Sequence, residues 1–589
     1  MKCFDYPIDT KYLYRKKSKI EKELRNKKGL MPKKIAILGG STTDQLVGML
    51  NIFLLNNGIE PLFYQSEFGQ FWQDAMFGTE KLDNFAPDII YIHTSWRNIE
   101  RFPRVADGQD DVAQLLNAEV SRFEMMWDKL AAKFHCPIIQ NNFDRPNYRL
   151  MGNRDIWDYR GKSNFIFNLN QRFYQYAQTH EDFYINDIDY LAQEYGLSQW
   201  NDSLYWHMYK LAMCMNAVPS VAQSVANIIK SIYGKNKKLL ALDLDNTLWG
   251  GVIGDDGVEG IKIGPEIPQG QAFSEFQQYC KDLKDIGVIL AVNSKNEEDN
   301  ARLGLNHPSG ILKPDDFVSI KANWNPKDQN LKEIAEELGI GTDSFVFVDD
   351  NPAEQEIVNM QMPEVSVPHV ERVDDFIKYL DHSGYYEVTT YSSEDLHKTE
   401  LYHAKAEAKK TEKMFDDYGQ YLQSLQMKAV ITDFEPLSVQ RVAQLTNKSN
   451  QFNLTTLRCS EDDIQKMQND SRYLCLSGRL VDKFADNGIV SVVSGEQIED
   501  TLHLRLWLMS CRVLKRGMED VMMNYLVQEA KGRGVKEIIG YYYPTAKNKM
   551  VSGFYQTMGF DKYSEDDGNT VWVLNIEDYL EKKVFIQVD

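Results

Sequence analysis

The sequence lacks the long apolar runs that mark membrane-spanning or exported proteins. No stretch of its 589 residues approaches the length of a membrane span. The first 28 residues are rich in lysine and glutamate and contain no apolar core, so we expect no signal peptide there. Apolar residues still make up 43% of the chain, which is enough for large folded cores and argues against general disorder.

Paired cysteines and an excess of positive charge are also missing from the sequence. The seven cysteines are dispersed, with no Cys-x-x-Cys pair among them. An odd, dispersed set is typical of reduced thiols, so we expect a cytoplasmic protein. The formal net charge is -20, and most of such a surface repels a polyanion. We therefore expect no nucleic-acid partner.

Residues 1–230 alternate short apolar runs with helical stretches. The apolar runs lie at 35–38, 62–64, 89–92 and 137–140, and a charged helix is expected over 9–28. Alternation of this kind predicts a parallel, doubly wound α/β domain. Ser41 to Asp44 follow the first run and offer helix-capping side chains.

The turn Gly39-Gly40-Ser41 resembles the nucleophile block of SGNH-type hydrolases. The resemblance implies a site formed by Ser41, Gly69, Asn98 and His207. The sequence departs from that family because glycine stands at position 40 in place of the usual Asp, and the Asp-x-x-His spacing is not kept before His207. A serine without a placed base is not an activated nucleophile. We therefore expect a binding module with SGNH-like architecture rather than a working esterase, and a helix cap is the simplest role for Ser41.

Two carboxylates stand at the end of the apolar run 239–244. Asp243 and Asp245 are two positions apart, so both would start on the same face of a strand. Crowded carboxylates repel each other unless a cation or a shared proton relieves them. Because open α/β sheets bind ligands at the carboxyl ends of their parallel strands, we expect a ligand site here.

Polar residues also follow three further predicted strands, at 287–292, 317–320 and 345–348. Phosphoryl transfer needs a nucleophile, an acid/base group and cations around the phosphoryl oxygens. Asp243 is suited to be the nucleophile and Asp245 to be the acid/base. Ser294 and Lys327 are suited to hold and neutralise the phosphate, with Lys321 as an alternative lysine. A hard-oxygen Mg²⁺ site is expected from Asp243, Asp245, Asp349 and Asp350.

These four motifs together are similar to those of the haloacid dehalogenase (HAD) superfamily. The stretch Asp-Leu-Asp-Asn-Thr-Leu-Trp-Gly-Gly resembles the FkbH-like subgroup of that superfamily. Asn246 and Thr247 lie inside the motif and are expected to contact phosphate. The resemblance implies a HAD-like Rossmannoid domain over residues 235–385 and a phosphatase that uses Mg²⁺.

The C-terminal part of the sequence resembles a GNAT acyltransferase. Residues 386–426, rich in Lys, Glu and Ala, are expected to form a helical connector, and residues 427–589 a GNAT-like α+β domain. The GNAT loop that holds the CoA pyrophosphate corresponds here to residues 512–517. Phosphate or pantetheine binding is therefore expected at Arg512, Lys515, Arg516 and Gly517, and Cys511 is a candidate acyl acceptor or simply a buried thiol.

The whole chain is thus expected to be a multidomain α/β protein with an SGNH/flavodoxin-like doubly wound domain, a HAD-like domain and a GNAT-like domain. The FkbH-like resemblance implies an enzyme that dephosphorylates a three-carbon acyl phosphate of the 1,3-bisphosphoglycerate type and loads the glyceryl group onto an acyl carrier protein. Asn293 precedes the motif serine where many relatives have cysteine. Two alternatives remain open at this point: a simple HAD phosphatase for a small phosphorylated metabolite, and a non-catalytic assembly module.

Overall fold

The chain folds as two compact units, Met1–Lys230 and Ser231–Asp589. The structure is a computed structural model, and it describes residues 2–391, 393–412, 415, 417–449, 451–510, 513–545 and 547–588. The predicted first domain, residues 1–230, stays a prediction. The predicted division of the second unit at 385 and 426 stays a prediction. Across the described residues, no helix is both long and apolar enough to cross a membrane.

The first unit is built on a five-stranded parallel sheet in the order β2-β1-β3-β4-β5. Its strands are β1 (Met31–Gly39), β2 (Ile59–Gln65), β3 (Ile89–His93), β4 (Ile138–Asn141) and β5 (Phe183–Asn186). Its helices are α1 (Thr10–Arg25), α2 (Asp44–Asn56), α3 (Phe71–Phe77), α4 (Glu80–Phe85), α5 (Gln109–Phe134), α6 (Lys162–Thr179), α7 (Ile188–Tyr195), α8 (Leu197–Trp200), α9 (Ser203–Tyr209) and α10 (Val218–Ile232). This is the flavodoxin-like strand order, which reverses direction between β1 and β3.

The predicted strands of this unit are present, and β5 is an additional strand. Its four residues lie among polar neighbours, so its apolar pattern is too short to stand out in the sequence. The helix predicted over 9–28 forms as α1, but it is more than a solvated lead-in because it buries Leu13, Ile20 and Leu24.

The second unit contains a four-stranded parallel sheet in the order β8-β7-β6-β9. Its strands are β6 (Leu239–Leu242), β7 (Ile289–Ser294), β8 (Phe317–Ala322) and β9 (Phe345–Val348). The helices around and after it are α11 (Ile253–Asp256), α12 (Pro268–Asp285), α13 (Glu298–Leu305), α14 (Lys327–Leu338), α15 (Pro352–Gln361), α16 (Val373–His382), α17 (Ser393–Leu396), α18 (Lys398–Glu412) and α19 (Tyr418–Ser424). Alternate residues of β6 enter two different cores, one on each face of the sheet.

One strand boundary differs from the sequence prediction in a way that affects the site. β6 ends at Leu242, so Asp243 and Asp245 lie in the following loop rather than on the strand. The alternation of side chains along a strand therefore does not place both carboxylates on one face. The chain turns at Asn246, whose φ of 54° is in the left-handed region that asparagine tolerates.

The second unit also contains a nine-stranded mixed sheet. Its strands are β10 (Lys428–Asp433), β11 (Phe452–Asn453), β12 (Tyr473–Val481), β13 (Asp486–Ile498), β14 (Thr501–Met509), β15 (Glu537–Tyr542), β16 (Asp561–Asp566), β17 (Asn569–Asn575) and β18 (Gln587–Val588). Its helices are α20 (Val439–Lys448), α21 (Glu461–Asn469), α22 (Met518–Gly532) and α23 (Phe554–Thr557). The predicted α/β class, with separate sheets along the chain, is confirmed.

The neighbours β14 and β15 run side by side over a short distance. They pair in parallel through Thr501–His503 and Glu537–Ile539. Beyond that point β11 lies against β14, where it pairs with Leu508 and Met509. Leu454 follows β11. Its carbonyl accepts a hydrogen bond from the Tyr543 N–H, and its N–H donates to the Trp507 carbonyl. Segment 452–454 therefore fills the gap between the two strands.

Candidate active site

Three carboxylates meet at the carboxyl edge of the four-stranded sheet. β6 and β9 are parallel neighbours whose last residues, Leu242 and Val348, are paired in register. The next residues along the two strands, Asp243 and Asp349, are therefore held side by side, and the Asp243 N–H donates to the Val348 carbonyl at 3.0 Å. Each of Asp243, Asp349 and Asp350 offers an oxygen that lies within 4.8 Å of the others.

One buried cation faces these carboxylates. Lys327 begins α14 and its side chain is 2% exposed. Its Nζ lies 3.0 Å from Asp243 Oδ1 and donates to Asp349 Oδ2. Burial alone lowers a lysine pKa, but the charges of Asp243 and Asp349 more than offset it, so the pKa of Lys327 is raised and the side chain stays protonated.

The alternative lysine, Lys321, lies elsewhere. It is part of β8, and its Nζ forms ion pairs with Glu333 at 3.3 Å and Glu337 at 3.5 Å. Its side chain is 25% exposed, in contrast to that of Lys327. The structure therefore brings Lys327, and not Lys321, to the carboxylate cluster.

The cluster has more negative charge than Lys327 can neutralise. Burial, and then repulsion from Asp243, raise the pKa of both Asp349 and Asp350 to about 6. Carboxylates with such raised pKa values favour either a proton or a second cation. A set of converging carboxylate oxygens is the donor set that Mg²⁺ prefers, so these three residues could hold a divalent cation.

Asp245 is held apart from this group. Its carboxylate accepts hydrogen bonds from Trp249 Nε1 at 2.9 Å, Ile253 N at 3.1 Å and Asn296 Nδ2 at 3.0 Å. The pKa of Asp245 is raised, chiefly by burial. These contacts hold the Asp245 carboxylate beside the three-carboxylate group rather than within it. Sequence reasoning assigned no role to Trp249 or Asn296, although Asn296 follows a strand end as the other polar site residues do.

The remaining motif residues surround the same edge. Ser294 ends β7, beside β6, and is 1% exposed. The Thr247 hydroxyl is buried and has no hydrogen-bond partner among the described residues. Asn246 is exposed, and its Oδ1 accepts from Gly251 N at 2.9 Å, which stabilises the turn. Thr247 thus offers an unused buried hydroxyl, while Asn246 shapes the loop.

Asn293 holds the start of α14 in position, a role that its place before the motif serine did not predict. Its Nδ2 donates to the Lys327 carbonyl at 3.0 Å, and its Oδ1 accepts from Asn330 Nδ2 at 3.1 Å. The side chain is fully buried. It therefore links β7 to the first turn of α14, from which Lys327 projects.

Stabilisation of the protein by Mg²⁺ should depend on pH. The folded-state pKa values of Asp349 and Asp350 lie above the ordinary value of 3.8, so without metal the protein loses stability as pH rises from about 4 to about 6. Metal ligands must be deprotonated, so the gain from Mg²⁺ grows over the same range. We expect saturating Mg²⁺ to raise the Tm by several degrees near pH 7.5 and by little near pH 5, as measured by calorimetry. A gain that is equal at the two pH values would contradict this, and Asp350→Asn should reduce the gain near pH 7.5.

The predicted N-terminal site is brought together in part. Asn98 lies close to the Ser41 turn, because its Nδ2 donates to the Gly40 carbonyl and its Oδ1 accepts from Ser95 N, both at 2.9 Å. The Ser41 hydroxyl is buried and has no hydrogen-bond partner among the described residues. His207 is exposed on α9. Ser41 is therefore not linked to a base here.

The structure also shows the positions of Gly69 and of the N-cap of α2 in this domain. Gly69 lies in the loop before α3 with a φ of 72°, which suits glycine. Thr43, not Ser41, occupies the N-cap position of α2, although its side chain makes no capping hydrogen bond, so the helix-cap role expected for Ser41 is wrong. The N-cap is the residue just before the first helical residue, Asp44, and it therefore lies two positions after Ser41.

The predicted pantetheine loop is described from residue 513 onward. Cys511 and Arg512 lie outside the described residues. The Lys515 N–H donates to Glu519 Oε1 at 3.0 Å, and the buried Arg516 forms an ion pair with Asp482. Gly517 has a φ of 88° and precedes α22. In this conformation, the Lys515 N–H and the Arg516 guanidinium already have carboxylate partners within the protein.

Comparison with known proteins supports two parts of this description. Residues 34–230 match the family model described as FkbH, N-terminal domain. The N-terminal part of a Bacteroides fragilis protein, which contains a phosphatase domain and was crystallised in complex with Mg, is 28% identical. That match covers 64% of this chain and 99% of the other, with a TM-score of 0.58.

More distant matches involve about a quarter of the chain. The ribosomal-protein-S18-alanine N-acetyltransferase of Escherichia coli is 16% identical, with 25% of this chain and 94% of that chain covered and a TM-score of 0.21. The PaiA N-acetyltransferase of Thermoplasma acidophilum, in complex with coenzyme A, is 15% identical, with 25% and 99% covered and a TM-score of 0.21. No functional conclusion follows from similarity at this level. Among curated protein sequences, none matches the chain.

Proposed function

We propose that this FkbH-like protein is a Mg²⁺-dependent phosphatase and acyltransferase that acts on a three-carbon acyl phosphate and passes the glyceryl group to an acyl carrier protein. The observation that carries the proposal is the convergence of Asp243, Asp349 and Asp350 on Lys327 at one sheet edge. Similarity to a protein whose phosphatase domain was crystallised with Mg supports the phosphatase half. The glyceryl group and the carrier protein come from the FkbH-like resemblance.

Asp243, Asp349 and Asp350 are the residues that would hold Mg²⁺. Their oxygens are close enough together for one ion, and the raised pKa values of Asp349 and Asp350 show that the group is unfavourable without added positive charge. When bound, Mg²⁺ supplies positive charge that offsets the charge of a phosphoryl group. Asp245 is not needed to hold the ion, because its carboxylate already accepts hydrogen bonds from Trp249 and Asn296.

The side chains have distinct roles in phosphate removal. Asp243 attacks phosphorus, the P–O bond to the leaving group breaks, and an aspartyl phosphate forms on Asp243. Asp245 donates a proton to the leaving oxygen and then accepts one from the attacking water. Ser294 and the unused hydroxyl of Thr247 are available to bind phosphoryl oxygens, and Lys327 neutralises the charge.

Acyl transfer breaks a different bond. The carrier thiolate attacks the acyl carbon, the C–O bond to phosphate breaks, and inorganic phosphate leaves with the electron pair. In this step Asp243 does not attack, and the cluster with Lys327 holds the phosphate as it departs. With a substrate of the 1,3-bisphosphoglycerate type, this step leaves a phosphate ester on the acyl group, and hydrolysis through Asp243 removes it to give glyceryl. The two reactions therefore share a binding site and differ in the atom that is attacked.

A simple phosphatase is the second candidate, and one observation favours it. The Lys515 N–H and Arg516 are already engaged by Glu519 and Asp482, and segment 452–454 fills the gap between β14 and β15. Among the described residues, segment 452–454 occupies the place between these strands where a pantetheine chain would otherwise lie. Under this alternative the C-terminal domain has a binding or covering role.

The experiment that separates the two candidates uses the full-length protein, Mg²⁺, a three-carbon acyl phosphate and a phosphopantetheinylated carrier protein in ¹⁸O-labelled water. With a substrate of the 1,3-bisphosphoglycerate type, transfer releases the acyl phosphate unlabelled, and removal of the remaining phosphate through Asp243 releases phosphate that contains ¹⁸O. The carrier is then expected to gain the mass of one glyceryl group. Hydrolysis through Asp243 would release phosphate that contains ¹⁸O and leave the carrier unchanged. If neither phosphate release nor carrier loading occurs with any member of a panel of phosphate esters and acyl phosphates, the proposal is wrong.

A further inference from the structure

The loop of residues 295–297, which follows β7, is tied to the segments after two other strands of the same sheet. Lys295 Nζ lies 2.6 Å from Glu354 Oε1 on α15, which follows β9. Glu297 Oε1 accepts a hydrogen bond from Trp324 Nε1 at 2.7 Å, and Trp324 follows β8. The residues on both sides of the middle position of this loop are therefore held by side-chain contacts with other strand ends.

Asn296, the middle residue of the loop, reaches the remaining strand end. It is buried, and its Nδ2 donates to Asp245 Oδ2 at 3.0 Å, in the segment after β6. Its Oδ1 accepts from the Glu297 N–H, also at 3.0 Å. An amide carries its acceptor on one side and its donors on the other, so the contact with the backbone turns the Nδ2 towards Asp245. The loop thus sets the direction of the amide.

The two oxygens of the Asp245 carboxylate are occupied to different extents. Oδ1 accepts from Trp249 Nε1 at 2.9 Å and from the Ile253 N–H at 3.1 Å. Among the described residues, Oδ2 accepts from Asn296 alone. Each carboxylate oxygen has about two acceptor sites, so Oδ1 is fully occupied and Oδ2 keeps one site open. Oδ2 is therefore the oxygen of Asp245 that is available to a bound molecule.

The side of the carboxylate that carries Oδ1 is held by close packing. Trp249 is fully buried and lies against Gly304 of α13, where an added Cβ would be 2.6 Å from the indole ring. A residue without a side chain lets the ring approach this closely. Because α13 begins directly after residues 295–297, one short stretch of chain supports both oxygens of Asp245.

We infer that Asn296 is a positioning residue for Asp245, which fixes Oδ2 as the atom that gives a proton to the leaving oxygen and takes one from water. This role rests on the proposed function, in which Asp245 is the acid and base. The proton passes from Oδ2 to the leaving oxygen as the P–O bond breaks. A proton of the attacking water returns to Oδ2 when the aspartyl phosphate is hydrolysed. Asn296 exchanges no proton and acts through the direction of its amide.

The two kinds of phosphate in the proposed substrate class differ in their need for this proton. An alkyl phosphate ester releases an alkoxide, which is a poor leaving group and must be protonated as it departs. An acyl phosphate releases a carboxylate, which departs without a proton. Asn296 therefore supports removal of the ester phosphate and has little influence on hydrolysis of the acyl phosphate.

Kinetics of the whole chain with one probe of each kind test this role. The probes are 3-phosphoglycerate, an alkyl ester, and acetyl phosphate, and kcat/KM reports the steps up to departure of the leaving group. Asn296→Leu removes the donor from Asp245. We expect it to lower kcat/KM about thirtyfold for 3-phosphoglycerate, within the usual contribution of a placed acid, and no more than about threefold for acetyl phosphate. An equal loss with both probes, or no loss with either, would overturn the role.

A measurement without turnover tests the geometry. The Trp249 indole N–H donates to the same carboxylate, so its ¹H–¹⁵N NMR signal reports the position of that carboxylate. Trp249→Phe identifies the signal by its disappearance, and Asp245→Asn gives its position without a carboxylate acceptor. We expect Asn296→Leu to move the signal towards that position. A signal that stays in its wild-type position would show that Asn296 does not hold Asp245.

The matched control is Asn306→Leu. Asn306 is exposed at the far end of α13, where its Nδ2 donates to the Arg302 carbonyl at 2.8 Å. Its replacement should change neither kcat/KM nor the Trp249 signal. If Asn296→Leu does not fold, as judged by circular dichroism, Asn296→Ser takes its place, because its side chain ends one bond short of the Nδ2 position. If the wild-type protein releases phosphate from neither probe, the proposed function fails, and the Trp249 signal still decides whether Asn296 holds Asp245.

Discussion

Replacing Asp243 with asparagine is expected to abolish phosphate release, with a loss of about a thousandfold or more in kcat. The change removes the attacking oxygen of the proposed hydrolysis and one ligand of the proposed metal site. Because an amide has nearly the same size, the sheet edge should keep its geometry. Release is measured as inorganic phosphate from a small acyl phosphate at saturating Mg²⁺.

A matched control for this variant is Asp315→Asn. Asp315 is exposed and lies just before β8, at the other edge of the same sheet. Its replacement should leave kcat within about twofold of the wild-type value, since a surface substitution away from the site changes little. If Asp243→Asn retains substantial phosphate release while its circular dichroism and Tm are normal, Asp243 is not the nucleophile and both phosphatase hypotheses are wrong.

Replacing Lys327 with methionine is expected to destabilise the metal-free protein by about 3–5 kcal/mol, the usual cost of removing one partner from a buried ion pair. The side chain is 2% exposed and lies between Asp243 and Asp349, so its loss leaves buried carboxylates without their cation. Urea unfolding monitored by circular dichroism measures the change. Saturating Mg²⁺ should restore part of the stability because it supplies positive charge to the same carboxylates.

The control for this prediction is Lys321→Met, which also separates the two lysines proposed for the motif. Lys321 is partly exposed and pairs with Glu333 and Glu337, so its loss should cost no more than about 1 kcal/mol. It should also leave phosphate release intact. Equal destabilisation by the two substitutions, or loss of activity in Lys321→Met alone, would contradict the assignment of Lys327.

The strands around the carboxylate cluster could be predicted because each is a short, strongly apolar run followed directly by polar residues. β9 has the predicted bounds, and β6 to β8 differ by a few residues at their ends. Strands β11, β16 and β18 could not be predicted from apolar runs. β11 and β18 are two residues long, and every residue of β16 is exposed, so none has an apolar pattern.

The candidate site was predictable as a set of residues but not as an arrangement. Asp243, Lys327, Asp349 and Asp350 could be chosen because each follows a predicted strand. The separation of Asp245 from the other carboxylates, and the contacts of Asn293 with α14, depend on hydrogen bonds between distant segments. Such pairings leave no periodic signal in the sequence.

The sequence by itself determined the order of elements, the α/β class and the chemistry of the residues at the sheet edge, because hydrophobic periodicity and strand-end residues are local properties of the chain. The tertiary structure alone decided which lysine meets the carboxylates, and that burial and repulsion raise the pKa values of Asp349 and Asp350. Those properties depend on the distances between residues far apart in sequence and on their removal from water, which are set when the sheets and helices pack.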